Sequence, residues 1–249
     1  MKKGDKRKQQ KVLKKRSEKK QIATLVTALR QTSPLFHIRQ ARNYPLEGCW
    51  INEGWQEGGL ATIVVARRQP NGNIVYGCYL VDVFCLGVKN AFCNADIPVS
   101  QFRREVLPKA VHGDTPQPIS VALAHEIIYG AIEYAAQWGF RPHRDYKQAQ
   151  PILDLPDAHE QSGKVEFGKD GKPLYVSGPY DNPDAIVRQL GRTAGAGNYD
   201  YLVGLGGPSD LDDWDEGEEW SEDEEWDDED EQDDTPTSWD PNRLSKIKP

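Results

Sequence analysis

The most regular hydrophobic pattern in the chain runs from Ile119 to Trp138, where apolar residues recur every three or four positions. This spacing places them on one side of an α-helix. The positions concerned are Val121, Ala124, Ile128, Ala131, Ile132 and Ala135. Gly139 follows, and glycine readily takes the left-handed conformation that ends many helices. We therefore predict one long helix over residues 119–138 with a wide apolar face.

A run rich in β-branched residues predicts two strands and the turn between them. Residues 60–66 (LATIVVA) favour a strand, and the Asn71-Gly72 pair is a strong signal for a tight hairpin turn. We expect the return strand from about Ile74 to Leu86. The glycine at position 87 then predicts a turn or a bulge.

A second hairpin, a short helix and a last strand are predicted in the part that follows. The hairpin strands are expected at 165–167 and 173–176, joined by a turn with a glycine at each end. A capping asparagine and a first-turn proline open a short helix over Pro183–Leu190. The last strand is expected at 199–203. The sequence therefore predicts an α+β fold, with two β-hairpins and a further strand packed with one long and one short helix.

Charge is segregated to the two ends of the chain. Residues 1–30 contain 12 lysines and arginines against two acidic residues, whereas residues 210–234 contain 18 acidic residues and no basic one. The segment between them is close to neutral. We therefore predict three parts: a basic helical arm at 1–33, a globular α+β domain at 34–207 and an acidic, tryptophan-containing disordered tail at 208–249.

The sequence shows no pattern typical of export or membrane insertion. No apolar stretch follows the basic start, as it would in a signal peptide. None reaches the roughly 20 apolar residues of a membrane-spanning helix. The four cysteines form no CxxC pair, so we interpret them as reduced thiols and not as zinc ligands. We expect a soluble cytoplasmic protein with no cofactor, no metal ion and no membrane partner.

The basic arm is the strongest candidate for nucleic-acid binding. Its side chains can neutralise phosphates and release their counterions, and the lack of an aromatic residue argues against base stacking. A merely solubilising arm is the alternative interpretation. The candidate residues are Lys2, Lys3, Lys6, Arg7, Lys8, Lys11, Lys14, Lys15, Arg16, Lys19 and Lys20. We expect RNA or DNA as the partner.

The acidic tail carries large aromatic residues that a purely solvating segment does not need. Trp214, Trp220 and Trp226 recur every six residues among carboxylates, and indole rings are frequent anchors in protein interfaces. We predict that they bind a basic protein, and a solvating tail is the alternative. Because tail and arm have opposite charge, we also predict that the tail competes with nucleic acid for the arm.

Two glutamates on the predicted long helix are candidate catalytic residues. Glu126 and Glu133 are two turns apart, about 10 Å along the helix axis, and can share a metal ion only with ligands from elsewhere. A zinc-binding HExxH motif starting at His125 fails because residue 129 is a tyrosine. A solvated helix face opposite the apolar one is the simpler interpretation.

Three further candidates lie outside this helix. His143 is two residues from Asp145 in a proline-restricted turn, where an imidazole beside a carboxylate can act as acid or base. A turn held by local hydrogen bonds is the alternative. Asp82 lies among apolar residues of the predicted return strand, where a buried carboxylate needs a partner such as Lys89. A metal-dependent nuclease would combine these three with the two glutamates.

Three segments resemble an uncharacterised bacterial domain family. They are LGVKNAF at 86–92, the stretch from Tyr129 to Tyr146 with YGA and GFxPHxDY, and GKPLY followed by GPxD at 171–181. The resemblance covers roughly residues 45–205 and neither tail. It implies a bacterial cytosolic domain and no particular activity.

The charge pattern favours a non-catalytic nucleic-acid- or ribosome-associated binding protein, whose acidic tail competes for its basic arm. Two alternatives remain open. One is a metal-dependent hydrolase or nuclease, and the other is an adaptor that binds a basic protein through the acidic tail.

Overall fold

The computed structural model describes residues 33–111 and 115–203, together with Arg16, Lys19 and Lys20. These three residues are helical and exposed. The other residues up to 32, and all those after 203, lie outside the described residues. Among the described helices, none is long and apolar enough to cross a membrane.

Five antiparallel strands form the main sheet. In chain order they are β1 (Leu46–Ile51), β2 (Leu60–Arg68), β3 (Ile74–Asp82), β4 (Gly87–Ile97) and β5 (Gln117–Ile119). They are arranged β4-β3-β2-β1-β5, so β4 and β5 are the edge strands. β2 and β3 form the predicted hairpin, and Gly72 in its turn has a φ of 85°. The α+β fold class is confirmed.

Seven α-helical segments accompany this sheet in the described ranges. They are α1 (Pro34–Arg39), α2 (Trp55–Gly58), α3 (Val99–Gln101), α4 (Leu107–Ala110), α5 (Val121–Gln137), α6 (Tyr146–Ala149) and α7 (Pro183–Thr193). A π-helical turn at Phe102–Val106 joins α3 to α4, and 3₁₀ turns lie at Ala41–Asn43 and Gln150–Ile152.

The predicted long and short helices are both present, as α5 and α7. The Ser120 hydroxyl caps α5 by accepting a hydrogen bond from the Leu123 amide, and Gly139 follows the helix with a φ of 82°. Asn182 caps α7 in the predicted way. α7 continues past the predicted stop at Gly191, because this glycine keeps a helical conformation.

Both faces of the sheet are packed. On one face, α5, α1 and α6 form the main core, in which Ile63, Tyr79 and Ile128 are fully buried. On the other face, the helical segment from α3 to α4 places Phe102 against Val64. Burial on both sides explains why β2 has almost no polar alternation in its sequence.

The region of the second predicted hairpin is built differently. Residues 165–167 form no strand, and β6 (Leu174–Val176) pairs in parallel with β7 (Asp200–Leu202). The Phe167 ring packs on α5 and stacks on Tyr134 at 6.1 Å between ring centroids. The amide of Val165 binds the Glu126 carboxylate. The Val165 amide, which would donate to a neighbouring strand in a hairpin, is therefore bonded to α5 instead.

The predicted return strand is divided into two strands. β3 ends at Asp82, and β4 begins at Gly87 with a φ of 70°. The register of the β3–β4 pair shifts between Asn90 and Val88, so the predicted bulge is present inside a strand that continues to Ile97. A Cβ atom at Gly87 would lie 2.9 Å from the Ala131 carbonyl oxygen. The glycine thus also allows α5 to approach the sheet closely.

Candidate functional site

Four polar side chains from distant parts of the sequence meet beside α5. Arg67 projects from β2, His125 lies on α5, and Asp154 and His159 follow the 3₁₀ turn at Gln150–Ile152. We call this group the Arg67–His159 cluster. One nitrogen of each histidine and one carboxylate oxygen of Asp154 lie within 4.8 Å of one another. Within the described ranges, these three residues alone form a group that could hold a metal ion.

Arg67 is a buried cation with all its contacts inside the protein. Its Nε donates to the Ile152 carbonyl at 2.7 Å, and its Nη1 donates to the Tyr44 carbonyl at 3.0 Å. Its Nη2 binds Oδ1 of Asp154 at 2.5 Å. The guanidinium is 5% exposed as a side chain. It therefore fixes both the 3₁₀ turn and the carboxylate that follows.

Asp154 uses both carboxylate oxygens within the cluster. Oδ1 binds Arg67, and Oδ2 accepts a hydrogen bond from Nε2 of His159 at 2.9 Å. Burial raises the pKa of this carboxyl, but the His159 hydrogen bond and the Arg67 charge outweigh it, so the pKa lies below its usual value. Asp154 is therefore ionised at neutral pH.

His125 is the most buried histidine of the cluster, with 3% exposure. Burial lowers its pKa to about 4, with a further contribution from His159, so the ring is neutral at pH 7. Its Nε2 accepts only a long hydrogen bond, 3.3 Å, from the Asp154 amide. Its Nδ1 is buried without a hydrogen-bond partner. Buried polar atoms are rarely left in this state.

Asp82, the predicted strand carboxylate, is buried at the turn between β3 and β4. Its Oδ1 accepts hydrogen bonds from the amides of Phe84 at 2.9 Å and Cys85 at 3.0 Å. Lys89, the proposed partner, instead forms an ion pair with Asp181 at 2.7 Å. Burial raises the pKa of Asp82 to about 6 despite the amide hydrogen bonds. Asp82 therefore stabilises the turn between β3 and β4, and it forms no metal-binding group with the other candidate catalytic residues.

We expect the effect of Asp82→Asn on the stability of the domain to depend on pH, because only the aspartate carries a buried charge at neutral pH. Between its ordinary pKa of 3.8 and about 6, the folded protein binds a proton that the unfolded chain does not. The stability of the wild type therefore falls as pH rises through 6, whereas asparagine cannot titrate. Denaturant unfolding should show that the free energy of unfolding of the variant, relative to that of the wild type, falls by roughly 2 kcal/mol from pH 7 to pH 4.5. A constant difference would disprove this assignment.

Glu126, on α5, binds the loop at 162–165 through its carboxylate. Its two oxygens accept hydrogen bonds from the amides of Ser162, Lys164 and Val165 and from the Ser162 hydroxyl. Burial raises the pKa of Glu126, but these donors outweigh it and bring the pKa below its usual value. Glu133 is only partly buried, and burial raises its pKa. The two glutamates do not share a site.

His143 and Asp145 lie together in the turn before α6. Nδ1 of His143 is 3.6 Å from Oδ2 of Asp145, and it also accepts a long hydrogen bond of 3.4 Å from the Asp145 amide. The His143 amide donates to the Val88 carbonyl and so holds the turn on edge strand β4. The pair is a partly exposed local contact, and among the described residues neither glutamate nor Asp82 joins it in a metal-binding group.

The remaining predicted binding residues fall mostly outside the described parts. Arg16, Lys19 and Lys20 are exposed on a helix. The other basic candidates of the arm, and Trp214, Trp220 and Trp226 of the tail, lie outside the described residues. The four cysteines are free.

Sequence reasoning did not single out Arg67, Asp154 or His159. In the sequence, His125 stands out only as the start of an HExxH motif, whose second histidine would be one helical turn away. The second histidine is instead supplied by the loop after Asp154. The single available signal was Asp154 and His159 flanking a short proline-containing segment, and this signal is weak. Comparison of the chain with family models, curated proteins and solved structures finds no match.

Proposed function

We propose that the protein is a non-catalytic, cytoplasmic nucleic-acid-binding protein that holds RNA or DNA, free or in a ribosome, through its basic arm. The observation that carries the proposal is the concentration of eleven lysines and arginines in residues 2–20. Such a density of cationic side chains neutralises several phosphates at once, and the released counterions drive binding. Without aromatic residues in this stretch, the contact is made to the backbone and selects little among base sequences.

The contacts of the candidate catalytic residues in the described domain support a non-catalytic role for them. Backbone amides donate hydrogen bonds to Oδ1 of Asp82 and to both carboxylate oxygens of Glu126. These hydrogen bonds give each carboxylate a structural role, in the turn between β3 and β4 for Asp82 and in the loop at 162–165 for Glu126. The nuclease alternative would need these carboxylates in one place, and their separation favours the binding function.

The acidic tail is proposed to weaken nucleic-acid binding. Residues 208–249 contain 19 acidic and three basic side chains, so their removal changes the formal net charge of the chain from −8 to +8. A tethered polyanion acts at high effective concentration and competes with phosphates for the arm. It also repels nucleic acid that approaches the protein.

Deletion of residues 208–249 is therefore expected to increase the affinity for a single-stranded RNA at least about tenfold at 50 mM salt. Fluorescence anisotropy with a labelled oligonucleotide of mixed sequence measures the effect, first for the full-length chain and then for the truncated one. As a matched control, the acidic residues of 210–234 are replaced by their amides at unchanged length. This variant should bind as tightly as the truncated chain.

Two results would count against the proposal. Absence of RNA and DNA binding in both the full-length and the truncated chain would exclude the nucleic-acid-binding function. Equal affinity of the two would exclude competition by the tail. In that case, binding of the isolated tail to a basic protein would favour the adaptor alternative.

A further inference from the structure

We propose that His125, Asp154 and His159 form a binding site for one divalent transition-metal ion, with Zn²⁺ as the reference ion. The site is independent of the basic arm and of the proposed nucleic-acid function. Two imidazoles and one carboxylate are the ligand set that proteins use for zinc sites with a fourth position left to water.

The ligand atoms of the three side chains lie close enough together that a small movement of one side chain would let all three bind the same ion. The ligand atoms lie within 4.8 Å of one another, and four-coordinate zinc with bonds of about 2.0–2.1 Å requires roughly 3.3 Å between ligands. His159 is the member able to close this gap, because its side chain is 25% exposed and belongs to a loop. Asp154 Oδ2 and His159 Nε2 are already 2.9 Å apart.

The buried, unpartnered Nδ1 of His125 is the second observation that points to a ligand. A buried imidazole with one nitrogen unsatisfied and the other in a 3.3 Å hydrogen bond loses little when it turns toward an ion. The neutral ring has one nitrogen lone pair, which is on Nε2 while this atom accepts the Asp154 amide and which moves to Nδ1 when the ring proton shifts to Nε2. For zinc to take the place of the proton on Nε2 of His159, that proton shifts to Nδ1 of the same ring, so the ring stays neutral and offers its lone pair at Nε2.

Arg67 supplies the outer support that metal-binding carboxylates usually have. It binds Oδ1 of Asp154, which leaves Oδ2 for the ion and fixes the direction of the carboxylate. Its charge also offsets that of Asp154, so the site attracts cations weakly by charge alone. Mg²⁺ and Ca²⁺ depend on several oxygen ligands, whereas zinc is well served by imidazole. The site is therefore expected to select zinc over both.

Isothermal titration of the untagged, chelator-treated full-length protein with ZnCl₂ tests the proposal. We expect one zinc ion per chain at this site, and no competition by millimolar Mg²⁺. His159→Ala should weaken zinc binding at least about 100-fold, since it removes a ligand outright. His159→Gln, which keeps a polar side chain, should weaken it as well. Replacement of zinc by Co²⁺ should give absorption bands that both variants lose.

His143→Ala is the matched control, because His143 is also partly exposed but lies outside the cluster. It should bind zinc like the wild type. Circular dichroism in the presence of chelator establishes that each variant is folded. Zinc affinity that is equal in His159→Ala and the wild type, or absent from the wild type, would overturn the proposal.

Discussion

Replacing the eleven lysines and arginines of residues 2–20 by glutamine is expected to lower the affinity for RNA by about a thousandfold at 50 mM salt. Each basic side chain that contacts a phosphate releases a counterion, and losing six or more such contacts removes most of the binding free energy. Glutamine has a helix propensity close to that of lysine, so the exchange changes charge with little effect on helix formation. Fluorescence anisotropy with single-stranded RNA and duplex DNA measures the loss.

The control for this variant removes charge from the folded domain instead of the arm. Five exposed basic residues are replaced by glutamine: Lys109, Arg141, Lys147, Lys164 and Arg188. Because these residues are scattered over different elements, we expect the affinity to change by less than about tenfold. A comparable loss in the control would mean that overall charge, and not the arm, determines binding.

Arg67→Met is expected to destabilise the domain by about 3–5 kcal/mol. The exchange removes a buried cation and leaves the carbonyls of Ile152 and Tyr44 and Oδ1 of Asp154 without the donor they have in the wild type. Removing the cationic partner of a partly buried carboxylate costs far more free energy than the change in side-chain volume from arginine to methionine. Urea unfolding followed by tryptophan fluorescence gives the free energy of unfolding.

The neighbouring residue on β2 provides the comparison. Arg68 forms an ion pair with Glu47, but its own side chain is 41% exposed. Arg68→Met should therefore cost no more than about 1 kcal/mol. If the two variants are equally stable, the buried contacts of Arg67 do not hold the 3₁₀ turn as described.

The elements that the sequence predicted well are those whose signals are local. The β2–β3 hairpin follows from β-branched residues around Asn71-Gly72, and α5 follows from its apolar period and from Ser120 and Gly139 at its ends. Such signals lie within one element or one turn. They decide the fold class because each element must bury its apolar face against another.

The strands that the sequence missed depend on partners far away in the chain. β4 contains Asn90, Asn94 and Asp96, residue types that are uncommon in strands. It forms because β3 offers a free edge and α5 packs on the glycine that starts it. β1 is short and contains a glycine at position 48, yet it is held between β2 and β5. Pairing, and not propensity, determines both strands.

The cluster was harder to predict for the same reason. Arg67, His125 and Asp154 come from a strand, a helix and a loop, and no fixed spacing relates them. The sequence drew attention to His125 and to charged residues nearby on its helix. In the fold, the Glu126 carboxylate instead accepts hydrogen bonds from the loop at 162–165, and His125 accepts one from the Asp154 amide. Neighbouring residues on one helix thus have unrelated functions.

The salt dependence of RNA binding tests the central claim most directly. For the full-length chain and the arm variant, the association constant for single-stranded RNA is measured between 50 and 200 mM NaCl. If the arm neutralises six or more phosphates, the logarithm of the constant falls against the logarithm of salt with a slope of about −4 or steeper. The arm variant should then show a slope near zero. A full-length slope flatter than about −1 would contradict the account.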